Sequence, residues 1–167
     1  VVPSQVEGYN DVRLRNFTAP NLPVDLIRTT DHAAVTTTTL VADDVLQFTA
    51  GVGTYLVEGE LYYICPAAAD FKYRFNHAGT ATGKFATYSV NTAATTSDQA
   101  QSGNWKATQL NTDTVAGGVD SIELGFIFQG TLVVTASGLF TVQYAENTAS
   151  GSLILKTASR LSYRKKT

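Results

Sequence analysis

The sequence has one cysteine, no methionine, four prolines, two histidines and charge on only 16% of its 167 positions. Each shortage removes a class of protein. A lone Cys65 forms no intrachain disulfide, and it lacks the closely spaced His and Cys partners that zinc requires. It reads as a small core residue. The longest apolar runs, such as Leu132–Ala136, fall far short of the roughly 20 residues of a membrane-crossing helix. Twelve basic residues against fourteen acidic ones give a net charge of -2, which leaves no positive field to hold nucleic acid or an anionic membrane. No basic-then-apolar leader opens the chain at Val1-Val2-Pro3, so no intact signal peptide is expected. Nowhere do apolar residues recur three and four apart over successive turns, and no long helix is expected.

What the chain does have is β-formers: 24 threonines, eight tyrosines and eight phenylalanines, with an apolar fraction of 44% that argues for a filled core. Alternation is clearest over Ser121–Ala136, where Ile122, Leu124, Phe126, Phe128, Leu132 and Val134 share one parity, interrupted at Gly130. That stretch reads as one long strand or a bent pair. Asp70–His77 sets Phe71, Tyr73 and Phe75 against Lys72, Arg74 and Asn76, and Leu139–Glu146 sets Phe140, Val142 and Tyr144 against Thr141 and Gln143. Further strands are expected at Val35–Val41, Val45–Thr49, Thr54–Cys65, Lys84–Val90, Leu153–Thr157 and Arg160–Arg164. Turn-prone clusters separate them: Asp43-Asp44, Gly51-Val52-Gly53, His77–Gly83 and Asn147–Gly151. The expectation is an all-β, antiparallel two-sheet jelly-roll sandwich over 21–167, preceded by 1–20 as an arm or first strand.

Catalytic groups are scarce. His77 at a strand end and His32 after Asp31 both read as surface residues outside any catalytic motif. Asp43-Asp44 is the only adjacent acidic pair, and it lacks the alternating ligands and distal Glu of a calcium loop, so a β-turn is expected there. Gly51-Val52-Gly53 precedes a strand and has no lysine after it, which makes it a turn and not a phosphate cradle. Glycan hydrolysis would need two carboxyl groups facing across a cleft, a geometry that spacing does not establish. No cofactor and no metal is expected. Asn16-Phe17-Thr18 is a chance-level glycosylation triplet, and Asn91–Gly103 reads as a surface loop leading into Trp105–Leu110.

Aromatics are the abundant resource. Tyr55, Tyr62, Tyr63, Tyr73, Tyr88 and Tyr144 suit either a core or a subunit interface, with the core as default. Tyr55–Ile64 is apolar on both parities, so a partner subunit is expected over its second face, with Tyr55, Tyr63, Tyr73 and Tyr144 as the candidate contacts. The only compact basic cluster is Arg164, Lys165 and Lys166.

Two stretches carry a resemblance. One runs from Asp44-Val45-Leu46-Gln47-Phe48 through Gly53–Tyr63 to Ala69–Phe75. The other runs from Phe128–Val134 through Gly138–Asn147 to Ala158–Arg164. Together they resemble the jelly-roll virion proteins of tailed bacteriophages, which serve as capsid decoration (cement) proteins or as head domains of fibres. Tyr144 and Glu146 stand where that pattern has Trp and Gln. The resemblance implies a homotrimer with packing like that of tumour necrosis factor or C1q, on the virion surface and without enzymatic activity. It implies contact with the major capsid protein, for which Val1, Val2, Arg164, Lys165 and Lys166 are the candidates. A decoration protein is preferred, since no heptad or repeat precedes the domain. The alternative is a receptor-binding fibre head that recognises a cell-surface saccharide or protein through Asn91–Gly103 and His77–Gly83.

Overall fold

The computed structural model describes residues 22–94 and 103–166. Among them the only regular elements are strands: β1 (Val24–Ile27), β2 (Val41–Ala50), β3 (Gly53–Cys65), β4 (Phe71–His77), β5 (Ala81–Val90), β6 (Gly103–Gln109), β7 (Thr114–Ala116), β8 (Val119–Val134), β9 (Gly138–Glu146), β10 (Ile154–Leu155) and β11 (Arg160–Lys165). They form two antiparallel sheets. The larger runs β1-β11-β3-β8-β5-β6, with β10 also on β3, and the smaller runs β2-β9-β4-β7. Successive strands cross between the sheets, as a jelly roll requires, and the β5–β6 hairpin widens the larger sheet.

Period-2 alternation explains why the sheets face each other. On β4, Phe71, Tyr73, Phe75 and His77 are buried and the residues between them are half-exposed. On β8, Leu124, Phe126, Phe128, Leu132 and Val134 point inward, whereas Glu123, Gly125, Ile127, Gln129 and Val133 face out. The paired run from Gly53↔Val134 to Ile64↔Glu123 is unbroken, so β3 and β8 make the spine of the larger sheet.

β8 continues straight through Gly130 as one strand because neighbouring rings occupy the missing side-chain space. A Cβ on Gly130 would lie 2.5 Å from the Phe85 ring, and one on Gly59 would lie 2.6 Å from the Phe128 ring. Each glycine is paired with the phenylalanine that covers it, Gly130 with Phe85 and Gly59 with Phe128.

Aromatic rings dominate the core. Tyr63 and Phe71 stack with centroids 4.2 Å apart, Tyr73 lies 4.5 Å from Phe126, and Phe75 lies 4.5 Å from Phe85. Contacts of this kind contribute about 0.5–1.5 kcal/mol each beyond the area they bury.

Three expected elements are corrected. Val35–Val41 is no strand: Val35 makes an isolated bridge to Leu153, and β2 begins only at Val41. Asp43-Asp44 is not a turn between strands but lies inside β2, where the register jumps from Ala42↔Gln143 to Gln47↔Thr141. This bulge turns Asp43 inward, and its Oδ1 accepts from the backbone N–H groups of Val45 and Leu46 at 2.8 and 2.7 Å. The third is Leu153–Thr157, which shortens to the two residues of β10.

Candidate functional site

The four tyrosines expected at a subunit interface lie inside the chain's own core. Tyr63, Tyr73 and Tyr144 have no solvent exposure, and Tyr55 has 6%. Their hydroxyls are satisfied internally: Tyr63 donates to Gly117 O at 2.7 Å, Tyr55 to Gly51 O at 3.0 Å and Tyr144 to Asp43 Oδ2 at 3.4 Å. Tyr73 Oη lies 3.1 Å from Thr87 Oγ1. Burial holds the Tyr63, Tyr73 and Tyr144 hydroxyls protonated by raising their pKa values. A tyrosine with a local acceptor needs no second chain to cover it, so these four are corrected from interface to core. On β3 the outward residues are instead Leu56, Glu58, Glu60, Tyr62 and Ile64.

His77 is also corrected, from surface to interior. It is 3% exposed, its Nδ1 accepts from Gly79 N–H at 3.2 Å, and its Nε2 has no hydrogen-bond partner. His32 is half-buried, with its ring edge-on to Tyr144 at 5.5 Å. Cys65 is buried as expected, and its thiol pKa is pushed up to about 12 by burial and then by the charges of Glu146 and Asp70. Glu146, which replaces the glutamine of the resembled pattern, is fully buried, and neither carboxylate oxygen has a partner. Among the described residues no three His, Cys, Asp or Glu side chains gather as a metal-binding group. No helix among them is long and apolar enough to cross a membrane.

Two surface regions concentrate unusual groups. The first is the β1–β11 edge. Val24 pairs with Tyr163 and Ile27 with Arg160, so Pro23 and Leu22 lie toward the Arg164–Lys165 end of β11. Leu22 and Val24 are 63% and 43% exposed there, with Arg164, Lys165 and Lys166 exposed alongside, while Ile27, 52% exposed, lies at the far end of β1 opposite Arg160. The basic cluster is therefore no loose tail: Arg164 and Lys165 pair with Leu56 and Tyr55, and Lys166 N–H donates to Thr54 O at 2.7 Å. Val1 and Val2, the other candidate capsid contacts, lie outside the described residues, as does most of the Asn91–Gly103 loop.

The second region is the outer face of the larger sheet. Register lines up Ile27, Arg160, Glu60, Ile127, Tyr88 and Trp105 across six of its seven strands. Trp105 is 62% exposed, although it is the chain's single tryptophan. The next row over, Glu58, Gln129, Ala86 and Ala107, is exposed too. Sequence reading passed over this face. Trp105 sits on the short edge strand β6, whose mixed composition carries little alternation, and rows across a sheet become visible only when register is known.

No family model and no curated protein matches the chain.

Proposed function

We propose that the protein is a virion surface protein of a tailed bacteriophage, a homotrimeric capsid decoration protein without enzymatic activity that stabilises the head shell. One observation carries the reading: the β1–β11 edge brings exposed Leu22 and Val24 beside exposed Arg164, Lys165 and Lys166. An edge strand offers unpaired backbone groups to an incoming extended segment, its apolar side chains supply burial, and the neighbouring cations steer it toward an acidic surface. The major capsid protein is the partner this edge would meet. The jelly-roll sandwich and the resemblance of its strands to phage virion proteins support the same reading.

The test is co-sedimentation with capsids that lack the protein, together with the mass of the free species by light scattering. Saturable binding by a species of three chains is expected. Replacing Arg164, Lys165 and Lys166 together by Glu should abolish binding while leaving the melting temperature within a few degrees, because all three side chains are exposed. Binding to host cells and not to capsids would overturn the assignment in favour of a receptor-binding fibre head.

A further inference from the structure

Trp105 borders a shallow cleft of about 270 Å³ on the outer face of the larger sheet, also lined by Ile127, Glu58, Glu60, Gln129 and Arg160. The volume lies below the roughly 300–1,000 Å³ of enclosed small-molecule pockets, which suits a short stretch of an extended ligand rather than a buried cofactor. Trp105 is the aromatic side of the cleft, and Tyr88 packs against it from outside the cleft with ring centroids 5.3 Å apart.

We propose that this cleft binds a saccharide. A pyranose ring has an apolar C–H face and a rim of hydroxyl groups, and the cleft offers a counterpart to each. The Trp105 indole suits a partner that is apolar on one side and wet on the other. Glu58 accepts hydroxyl donors, and the Gln129 amide both donates and accepts. Glu60 is already paired, accepting from Arg160 Nε at 3.0 Å, so the two charges offset each other and the pair presents oriented hydrogen-bonding groups without net charge. Other ligand classes fit worse. Nucleic acid would set its phosphates against Glu58, Glu60 and Glu123 on this face. A purely apolar partner would withdraw the exposed Glu58 and Gln129 from water with nothing to pair them. The inference does not depend on capsid attachment, since the cleft faces away from the core on strands β3, β8 and β6 and its test uses no capsids.

Because Trp105 is the only tryptophan, emission excited at the red edge, where the eight tyrosines do not absorb, reports this cleft alone. Titration with neutral oligomers of glucose and of N-acetylglucosamine, and with a bacterial O-polysaccharide, should shift that emission saturably for at least one of them. Heparin, as a polyanion, should not. Calorimetry with the responding sugar should show Trp105→Ala weakening binding at least about tenfold and Glu58→Gln weakening it less. Val133→Ala, on the same face but outside the cleft, should leave binding unchanged. Unchanged emission with every sugar overturns the proposal, as does equal affinity in Trp105→Ala. A change of oligomer mass in Trp105→Ala also overturns it, because a second copy of the chain would then be the occupant.

Discussion

Arg28 Nη1 lies 2.7 Å from Asp43 Oδ2, with the two side chains 4% and 0% exposed. The pair joins the end of β1 to the bulge in β2, one sheet to the other, and Tyr144 donates to the same Asp43 oxygen. The second arm of the guanidinium contact, to Asp44 Oδ1 at 2.8 Å, involves a carboxylate that is 72% exposed. The two contacts should differ in value. Arg28→Met strands a buried charge and should cost about 3–5 kcal/mol, whereas Asp44→Ala should cost about 0–1 kcal/mol. Urea denaturation of the two variants checks the order, and near-equal losses would place the strength in Asp44 instead.

Acid should weaken the fold through two exposed carboxylates. Asp44 has a lowered pKa because Arg28 hydrogen-bonds it, and Asp31 has a lowered pKa because Lys156 and then the Thr157 N–H do so. A carboxylate with a depressed folded pKa contributes its stability above the ordinary value of 3.8 and loses it as pH falls through the folded value. The stability these two carboxylates supply should therefore be complete at about pH 4 and above, and the melting temperature should fall as pH drops below that. The double variant Asp31→Asn, Asp44→Asn should begin lower and fall less steeply, as thermal melts across an acid series would record.

Asp70 runs the other way. Burial raises its pKa, against a smaller opposing effect of the Gly118 N–H it accepts at 3.1 Å. The folded state then holds the proton longer than the unfolded chain, so this group costs stability as pH rises from 3.8 through its raised value. Asp70 also occupies a left-handed conformation with φ of 55°. Asparagine tolerates that conformation, keeps an acceptor for Gly118 and carries no charge. Asp70→Asn should raise the urea midpoint at pH 7 and lose the advantage below pH 4; a lower midpoint at pH 7 would show that the charge is wanted.

The sheets were legible wherever one parity was apolar, as on β4, β8 and β9, because a half-buried strand writes its orientation into alternation. β1 and β7 escaped notice because four and three residues are too few to show a period. Asp43 escapes the sequence pattern because an acidic pair normally marks a turn, and its burial is made tolerable by partners that include Arg28, 15 positions earlier, and Tyr144, 101 positions later. The tyrosines of β3 were assigned to an interface because both parities of that strand carry large apolar side chains. The inward parity reaches the core, and the outward one holds Glu58 and Glu60 among them. The Trp105 cleft depends on the pairing of β6 with β5, a contact that no local pattern encodes.

Glycines on the spine provide the last test, since three of them sit in strands with opposite surroundings. A Cβ on Gly59 would lie 2.4 Å from Arg160 O, and one on Gly130 would lie 2.4 Å from Lys84 O, with phenylalanine rings almost as near. Rings can rotate aside, but the carbonyls belong to paired neighbouring strands, and moving them breaks ladder hydrogen bonds. Gly59→Ala and Gly130→Ala should each cost about 1–3 kcal/mol, as overpacking does in a filled interior. Gly125, on the outer face of β8, meets nothing within 4 Å. With space available and an interior strand glycine carrying about 0.5–1 kcal/mol of excess entropy cost, Gly125→Ala should be neutral or stabilising. Denaturant midpoints for the three variants decide the matter. A loss at Gly125 as large as at Gly59 would mean that the outer face is covered in solution and that the space beside Gly125 is occupied by another chain.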